Sequence, residues 1–217
     1  YVKQMLYSGD KMIHRRGQFK DFFPTPDTVN RVISLTGIGG TKDFSAIISD
    51  TFIDIQLQFN GQSFPLYYFE ERKIQSPGLF DDKGTNEYIK HDGLTDFILE
   101  RARDMYGKTV TKEDIFYYVY GLLNYPGYKS FFANDLRKTL PHLPLMEDVR
   151  NFWKFSKVGR ELGDLHVNYE TVPAFNSVII TGVESGFFKV EKMRFPKKGQ
   201  RDTILFNSKI TISNIPD

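Results

Sequence analysis

The chain contains no cysteine among its 217 residues. Disulfides and thiolate metal sites are therefore excluded, and a reducing compartment is compatible with the composition. Histidine is scarce. His14, His91, His142 and His166 are widely separated, none stands at i, i+4 from another, and no H-E-x-x-H is present, so the sequence does not predict a metal centre. No apolar run is long enough to span a bilayer, and no signal peptide opens the chain. Charge of one sign is nearly balanced by the other, with a net of +2. That is too mild to argue for nucleic-acid binding by itself. A G-x-S-x-G elbow and a phosphate loop ending in Gly-Lys-Ser/Thr are also missing, so no nucleophile and no nucleotide cradle is nominated.

What the chain has is rings. Twenty Phe and twelve Tyr stand against one Trp, and hydrophobic residues make up 40%. This supports a substantial aromatic core and argues against wholesale disorder. The length fits one substantial domain, or one domain with an appendage. The opening YVKQMLY, without Met, and the closing ITISNIPD both read as interrupted strands, so the chain is expected to be an excised piece of a longer polypeptide.

The pattern predicts an α+β fold, with strand-rich N- and C-terminal parts (1–73 and 175–213) around a central helical part (95–166) of about four helices. Val2–Tyr7 reads as a strand, Lys11–Lys20 as a basic loop, and Val32–Leu35 as a strand entering the glycine turn TGIGG. That turn lacks G-x-G-x-x-G spacing, so a positive-φ turn is preferred to a phosphate site. FSAIIS and FIDIQLQF suggest two more strands, the second with strict alternation. Asn60-Gly61 is a hairpin signal and SFPLYYFEE the returning strand. IQSPGLFDDKGTNEYIKHDG is polar and aperiodic and reads as flexible.

Helices are expected from Thr95 to Tyr106, from the Thr111/Asp114 capping box to about Leu123, from Pro126 to about Lys138, and from Glu147 to Gly163. The second is apolar nearly all round, which predicts burial on several sides. Gly159 predicts close approach of a neighbouring backbone. SVIIT, FFKVEKMRF, TILFN and KITIS read as strands.

Carboxylates such as Glu70-Glu71 and Asp81-Asp82 are neighbours only along the chain and predict solvated charge. The basic clusters are more informative. KVEKMRFPKKGQR, Lys189–Arg201, holds six Lys/Arg against one Glu. As a strand, it would put Lys192 and Arg194 on one face and Met193 and Phe195 on the other. PKKGQR would then project Lys197, Lys198 and Arg201 from a hairpin tip, suited to a nucleic-acid groove. An ordinary lysine-rich hairpin is the competing reading. Arg15 and Arg16 are weaker candidates of the same kind. Arg137-Lys138 is read as complementing a helix C-terminus.

KEDIFYYVYGLLNYPGYKSFFANDLRKTLPHLPL, followed by FWKFSKVGRELGDLHVNYE, resembles the C-terminal region of the Type ISP restriction-modification enzymes. VKQMLY, FPTPDTVNRVISLTG, FSAIISDTFIDIQL, GQSFPLYYFE, VEKMRFPKKG and ITISNIP fall in the same order as in that family, so the resemblance covers essentially the whole chain. It implies a target-recognition part of a large single-chain bacterial enzyme that joins a nuclease, a helicase-like ATPase, a coupling segment and an adenine-N6 methyltransferase. The methyltransferase's Asn-Pro-Pro-Tyr-type motif is missing here, and Asn124-Tyr125-Pro126-Gly127 lacks its paired prolines. The implied partners are double-stranded DNA and the intramolecular methyltransferase domain, with no membrane. No catalytic or metal residue and no cofactor is expected in this chain; S-adenosylmethionine, ATP and Mg²⁺ belong to the parent enzyme, and a bacterial cytoplasmic location follows. Expected DNA contacts are Lys192, Arg194, Lys197, Lys198, Arg201, Arg15 and Arg16, chosen on charge clustering. A docking module between the methyltransferase and helicase-coupling parts is the other reading, favoured by any exposed patch of Tyr117, Tyr118 and Tyr125.

Overall fold

The structure, a computed structural model, describes residues 19–39, 43–54, 56–72, 87–173 and 175–216. It divides into two compact units, Tyr1–Tyr169 and Glu170–Asp217.

The described part of the first unit starts with a short helix, α1 (Phe19–Phe22), and an antiparallel sheet of β1 (Val32–Leu35), β2 (Ala46–Ser49) and β3 (Gln62–Pro65). β1 is central, with Ile33 opposite Ile48 on one side and Phe64 on the other. All four β1 residues are buried, which fits a strand covered on both faces. A separate antiparallel ribbon joins β4 (Tyr67–Glu71) to β5 (Tyr88–Asp92). The expected strand SFPLYYFEE is thus two strands in two sheets, parted at buried Leu66. The buried Asn30 side chain ties these parts together: its amide donates to the Phe22 and Tyr67 carbonyls, and its oxygen accepts from Tyr67 N–H.

Four helices follow: α2 (Asp96–Tyr106), α3 (Lys112–Asn124), α4 (Pro126–Phe131) and α5 (Val149–Val167). Thr111 and Asp114 form the expected reciprocal capping box, and α3 buries eight residues on several sides. α3 and α5 cross at Gly121 and Gly159, where a Cβ on Gly159 would stand 2.0 Å from the Tyr117 carbonyl oxygen. Around them Tyr106 stacks on Phe152 at 4.1 Å, and Tyr118 meets the same ring at 5.0 Å.

The aromatic residues of α2, α3 and α4 have a second use. Residues 140–146, interrupted by Pro141 and Pro144, form no regular element. Their carbonyls find partners in tyrosine hydroxyls instead: Tyr106 donates to Met146, Tyr118 to Pro144 and Tyr128 to His142. Each ring buries its body while its hydroxyl satisfies a loop acceptor.

Several sequence expectations fail. The described residues of FIDIQLQF form no strand. Asp54 Oδ1 accepts from Gln56 N–H, turns run through Gln56–Phe59, and Phe59 and Asn60 adopt left-handed φ of 51° and 60°. One polar residue turns inward: Gln58 is 6% exposed and accepts from the Ser45 and Thr36 hydroxyls, while Leu57 is 61% exposed. Buried hydrogen bonding overrides the alternation here. β5 lies within the stretch read as flexible. α4 stops at Phe131, short of Lys138, and turns continue through Asn134 and Asp135, residues that favour turns over helix interiors. α5 runs Val149–Val167, capped by Asp148, four residues beyond the expected end. The expected Val2–Tyr7 strand and nearly all of the basic loop before Phe19 lie outside the described residues.

The second unit is built on the antiparallel order β6-β8-β7: β6 (Ile179–Thr181), β7 (Ile204–Leu205) and β8 (Thr211–Ser213). FFKVEKMRF is not a regular strand. Only Arg194 pairs, with Leu205.

Candidate nucleic-acid interface

Five of the seven contacts expected from the sequence fall in the second unit. Residues 170–217 carry seven Lys/Arg against five Asp/Glu, so this short unit accounts for the whole excess of +2. The first unit is balanced.

Arg194 and Leu205 exchange both backbone hydrogen bonds, at 3.2 and 2.9 Å, and close the loop between them. Within it Gln200 N–H donates to the Lys197 carbonyl, and Gly199 holds φ of 89°, a left-handed value that glycine adopts without strain. Lys197 and Lys198 therefore sit in a tight turn and are exposed, as are Lys192, Arg194 and Arg201. Arg15 and Arg16 lie outside the described residues.

The loop's footing is Asn207, which is 8% exposed. Its amide donates to the Phe187 carbonyl at 2.8 Å and the Lys189 carbonyl at 3.1 Å. Its oxygen accepts from Lys209 and Ile210 N–H at 2.8 and 2.7 Å. It fastens the irregular 187–189 segment to the β7–β8 turn. Sequence reasoning passed over Asn207; its position between two short strands marked a turn, but nothing marked the four bonds.

Among the described residues, no ion pair involves Lys189, Lys192, Arg194, Lys197, Lys198 or Arg201. The acid inside the stretch is occupied otherwise: Glu191 accepts from Ser208 N–H at 2.9 Å. Asp202 accepts from the Thr203 hydroxyl at 3.2 Å. The cations of this unit thus remain available to an external anion.

The first unit contrasts with this. One cleft among its described residues, about 820 Å³, is lined by Arg31, Lys90 and Arg160 beside Asp50, Glu113 and Asp164. Arg31 lies 3.6 Å from Asp50 and 3.8 Å from Asp164, and Arg160 lies 2.9 Å from Glu113 and 4.3 Å from the Tyr117 ring. Lys90 Nζ stands 3.4 Å above the Tyr67 ring. The guanidinium groups are neutralised from within, so this cleft is a structural network joining the residue before β1, α3 and α5. Arg137 reaches Asp43 at 2.8 Å, a specific pairing instead of a simple helix-end complement.

The tyrosine patch of the docking reading does not form. Tyr117 and Tyr118 are 4% and 2% exposed, and only Tyr125 reaches the surface. Burial raises the pKa of both buried hydroxyls, Tyr118 the more strongly.

No described helix is long and apolar enough to cross a membrane. The family described as the Type ISP C-terminal specificity domain matches residues 1–217. Among curated proteins none matches. Among solved structures, the ATP-dependent Type ISP restriction-modification enzyme LlaBIII bound to DNA is similar at a TM-score of 0.79 and 32% identity, over 97% of this chain and 13% of that one. A nuclease-deletion mutant of the Type ISP enzyme LlaGI, in complex with a DNA substrate mimic, is similar at 0.68 and 32%, over 92% and 16%. A DrdV–DNA complex shares the fold at 0.74 and 24% identity, over 97% and 20%. The chain therefore spans 13%, 16% and 20% of the length of these three. Over its whole length, it belongs to the Type ISP C-terminal specificity domains.

Proposed function

We propose that this chain is a sequence-specific double-stranded DNA recognition module, without catalysis of its own, that positions a target adenine for an N6-methyltransferase domain outside it. The observation that carries the reading is the set of unpaired cations from Lys189 to Arg201, held on a closed turn in the unit that carries the chain's net charge. The two relatives at 32% identity, one bound to DNA and the other in complex with a DNA substrate mimic, support it.

The physical division of labour is general. Lys and Arg hold phosphates and set the register, and a few side chains read base edges. Lys192, Arg194, Lys197, Lys198 and Arg201 are assigned to this surface, with Arg15 and Arg16 as further phosphate contacts. The parent enzyme we take to be a restriction endonuclease and DNA adenine methyltransferase of the bacterial cytoplasm. S-adenosylmethionine, ATP and Mg²⁺ are assigned to its other domains, and any flipped adenine to a pocket in the methyltransferase.

The test is selection from a random duplex pool at low and moderate salt. Enrichment of one short asymmetric site is the expected result. Salt-sensitive binding without enrichment would reduce the role to phosphate contact. No binding by folded protein would overturn the reading in favour of the docking module.

A further inference from the structure

The basic segment also exposes apolar side chains that no core explains. Met193 and Phe195 are 54% and 50% exposed, on either side of Arg194. Because Arg194 N–H and C=O both bond to Leu205, the backbone is extended there, and its two neighbours face away from the Arg194 side chain. One side of the segment at this bridge thus presents a cation and the other an apolar pair.

We infer that Met193 and Phe195 contact thymine methyl groups in the major groove. The inference rests on the DNA-recognition reading above and adds the base it reads. The unpaired cations beside this pair select a polyanionic partner surface. The major groove is wide enough to admit a loop closed by such a backbone pair, and the apolar feature offered by its base edges is the thymine C5-methyl. Insertion as a minor-groove wedge calls for an apolar residue leading the way. Here the turn carries Lys197 and Lys198, while Phe195 adjoins the paired base of the loop.

The experiment replaces each thymine of the selected site by deoxyuridine, one at a time, which removes only the methyl. Affinity of the full-length protein is measured for wild type, M193A and F195A. At one or two positions, the wild type is expected to lose about fourfold, the worth of one buried methyl. That loss should vanish in the variant lacking the contacting side chain. Equal sensitivity to deoxyuridine in wild type and both variants overturns the inference while leaving DNA recognition intact. So does a uniform affinity loss across all sequences, which would mean the pair packs against protein. No DNA binding by folded wild type overturns the recognition reading itself, and this inference with it.

Discussion

Gly121 of α3 and Gly159 of α5 meet backbone to backbone, so that a Cβ on Gly159 would lie 2.7 Å from the Gly121 nitrogen and 2.0 Å from the Tyr117 carbonyl oxygen. A fixed backbone cannot yield as a flexible side chain does. Gly159→Ala should therefore destabilise the fold by about 3 kcal/mol or prevent it, despite alanine's better helix propensity. Gly163, one turn on, is the control. Its Cβ would meet the Tyr117 ring at 3.2 Å and Ile48 Cδ1 at 3.4 Å, side-chain atoms that can shift, so Gly163→Ala should cost under about 1 kcal/mol. Urea denaturation of both variants makes the comparison.

The Tyr120 hydroxyl shares a 2.5 Å hydrogen bond with His166 Nδ1, and burial pushes its pKa up to about 12. The folded state therefore resists ionisation that the unfolded state undergoes near 10. The stability this provides is complete below pH 10 and is lost as pH rises through the folded value. Tyrosinate absorbance should accordingly appear in two phases, the exposed hydroxyls first and the buried group together with loss of helical circular dichroism. Tyr120→Phe should cost about 1 kcal/mol at neutral pH and delay the alkaline unfolding.

Lys112 Nζ bridges Asp92 at 2.8 Å and Asp96 at 2.6 Å, joining β5 to the starts of α2 and α3. Hydrogen bonding to the ammonium holds the Asp96 carboxyl below its usual value, and the hydrogen bonds to Asp92 and Asp96 hold Lys112 above its own. The Asp96 contribution is present above the ordinary carboxylate pKa and lost as pH falls through the depressed one. The Lys112 contribution is lost as pH rises through its raised one. The stability difference between wild type and Lys112→Met should thus be flat through neutrality and shrink at both extremes. A difference that grows toward acid would contradict the bridge.

How far the sequence carried depends on whether a segment's structure is local. Val32–Leu35 and the Thr111/Asp114 capping box were legible because propensity and cap chemistry act within a few residues. Gly159 announced itself because glycine in an apolar helical stripe has few other uses. FIDIQLQF misled because its alternation is real, but Gln58 bonds to Thr36 and Ser45, far back in the sequence. The KVEKMRFPKKGQR stretch was legible as charge, which is additive. Its backbone was only half legible, since a single pair, Arg194 with Leu205, replaces the expected ladder.

Charge reversal at Lys197, Lys198 and Arg201 tests the basic turn directly. Counterion release makes log affinity fall with log salt by about 0.9 per phosphate contact. Single alanine variants should each lower that slope by about one if the side chain sits on phosphate, weakening all sequences alike. The triple change to Glu should abolish binding at moderate salt. An unchanged slope for a given variant would remove that residue from the interface.

Asn207 couples the fold of the second unit to its proposed task. Its four hydrogen bonds hold the chain just ahead of the basic stretch to the turn between β7 and β8. At about 1 kcal/mol each, less what water restores, Asn207→Ala should cost roughly 3 kcal/mol locally. Asn207→Asp keeps the acceptor for Lys209 and Ile210 but replaces the two donors with an oxygen facing the Phe187 and Lys189 carbonyls, so it should release the 187–189 segment selectively. Hydrogen exchange separates the two. Alanine should expose the Lys209 and Ile210 amides, whereas aspartate should leave them protected. Both variants should lose sequence preference while keeping every cation. Retained preference in Asn207→Asp would show that the ordering of this segment is not needed for recognition.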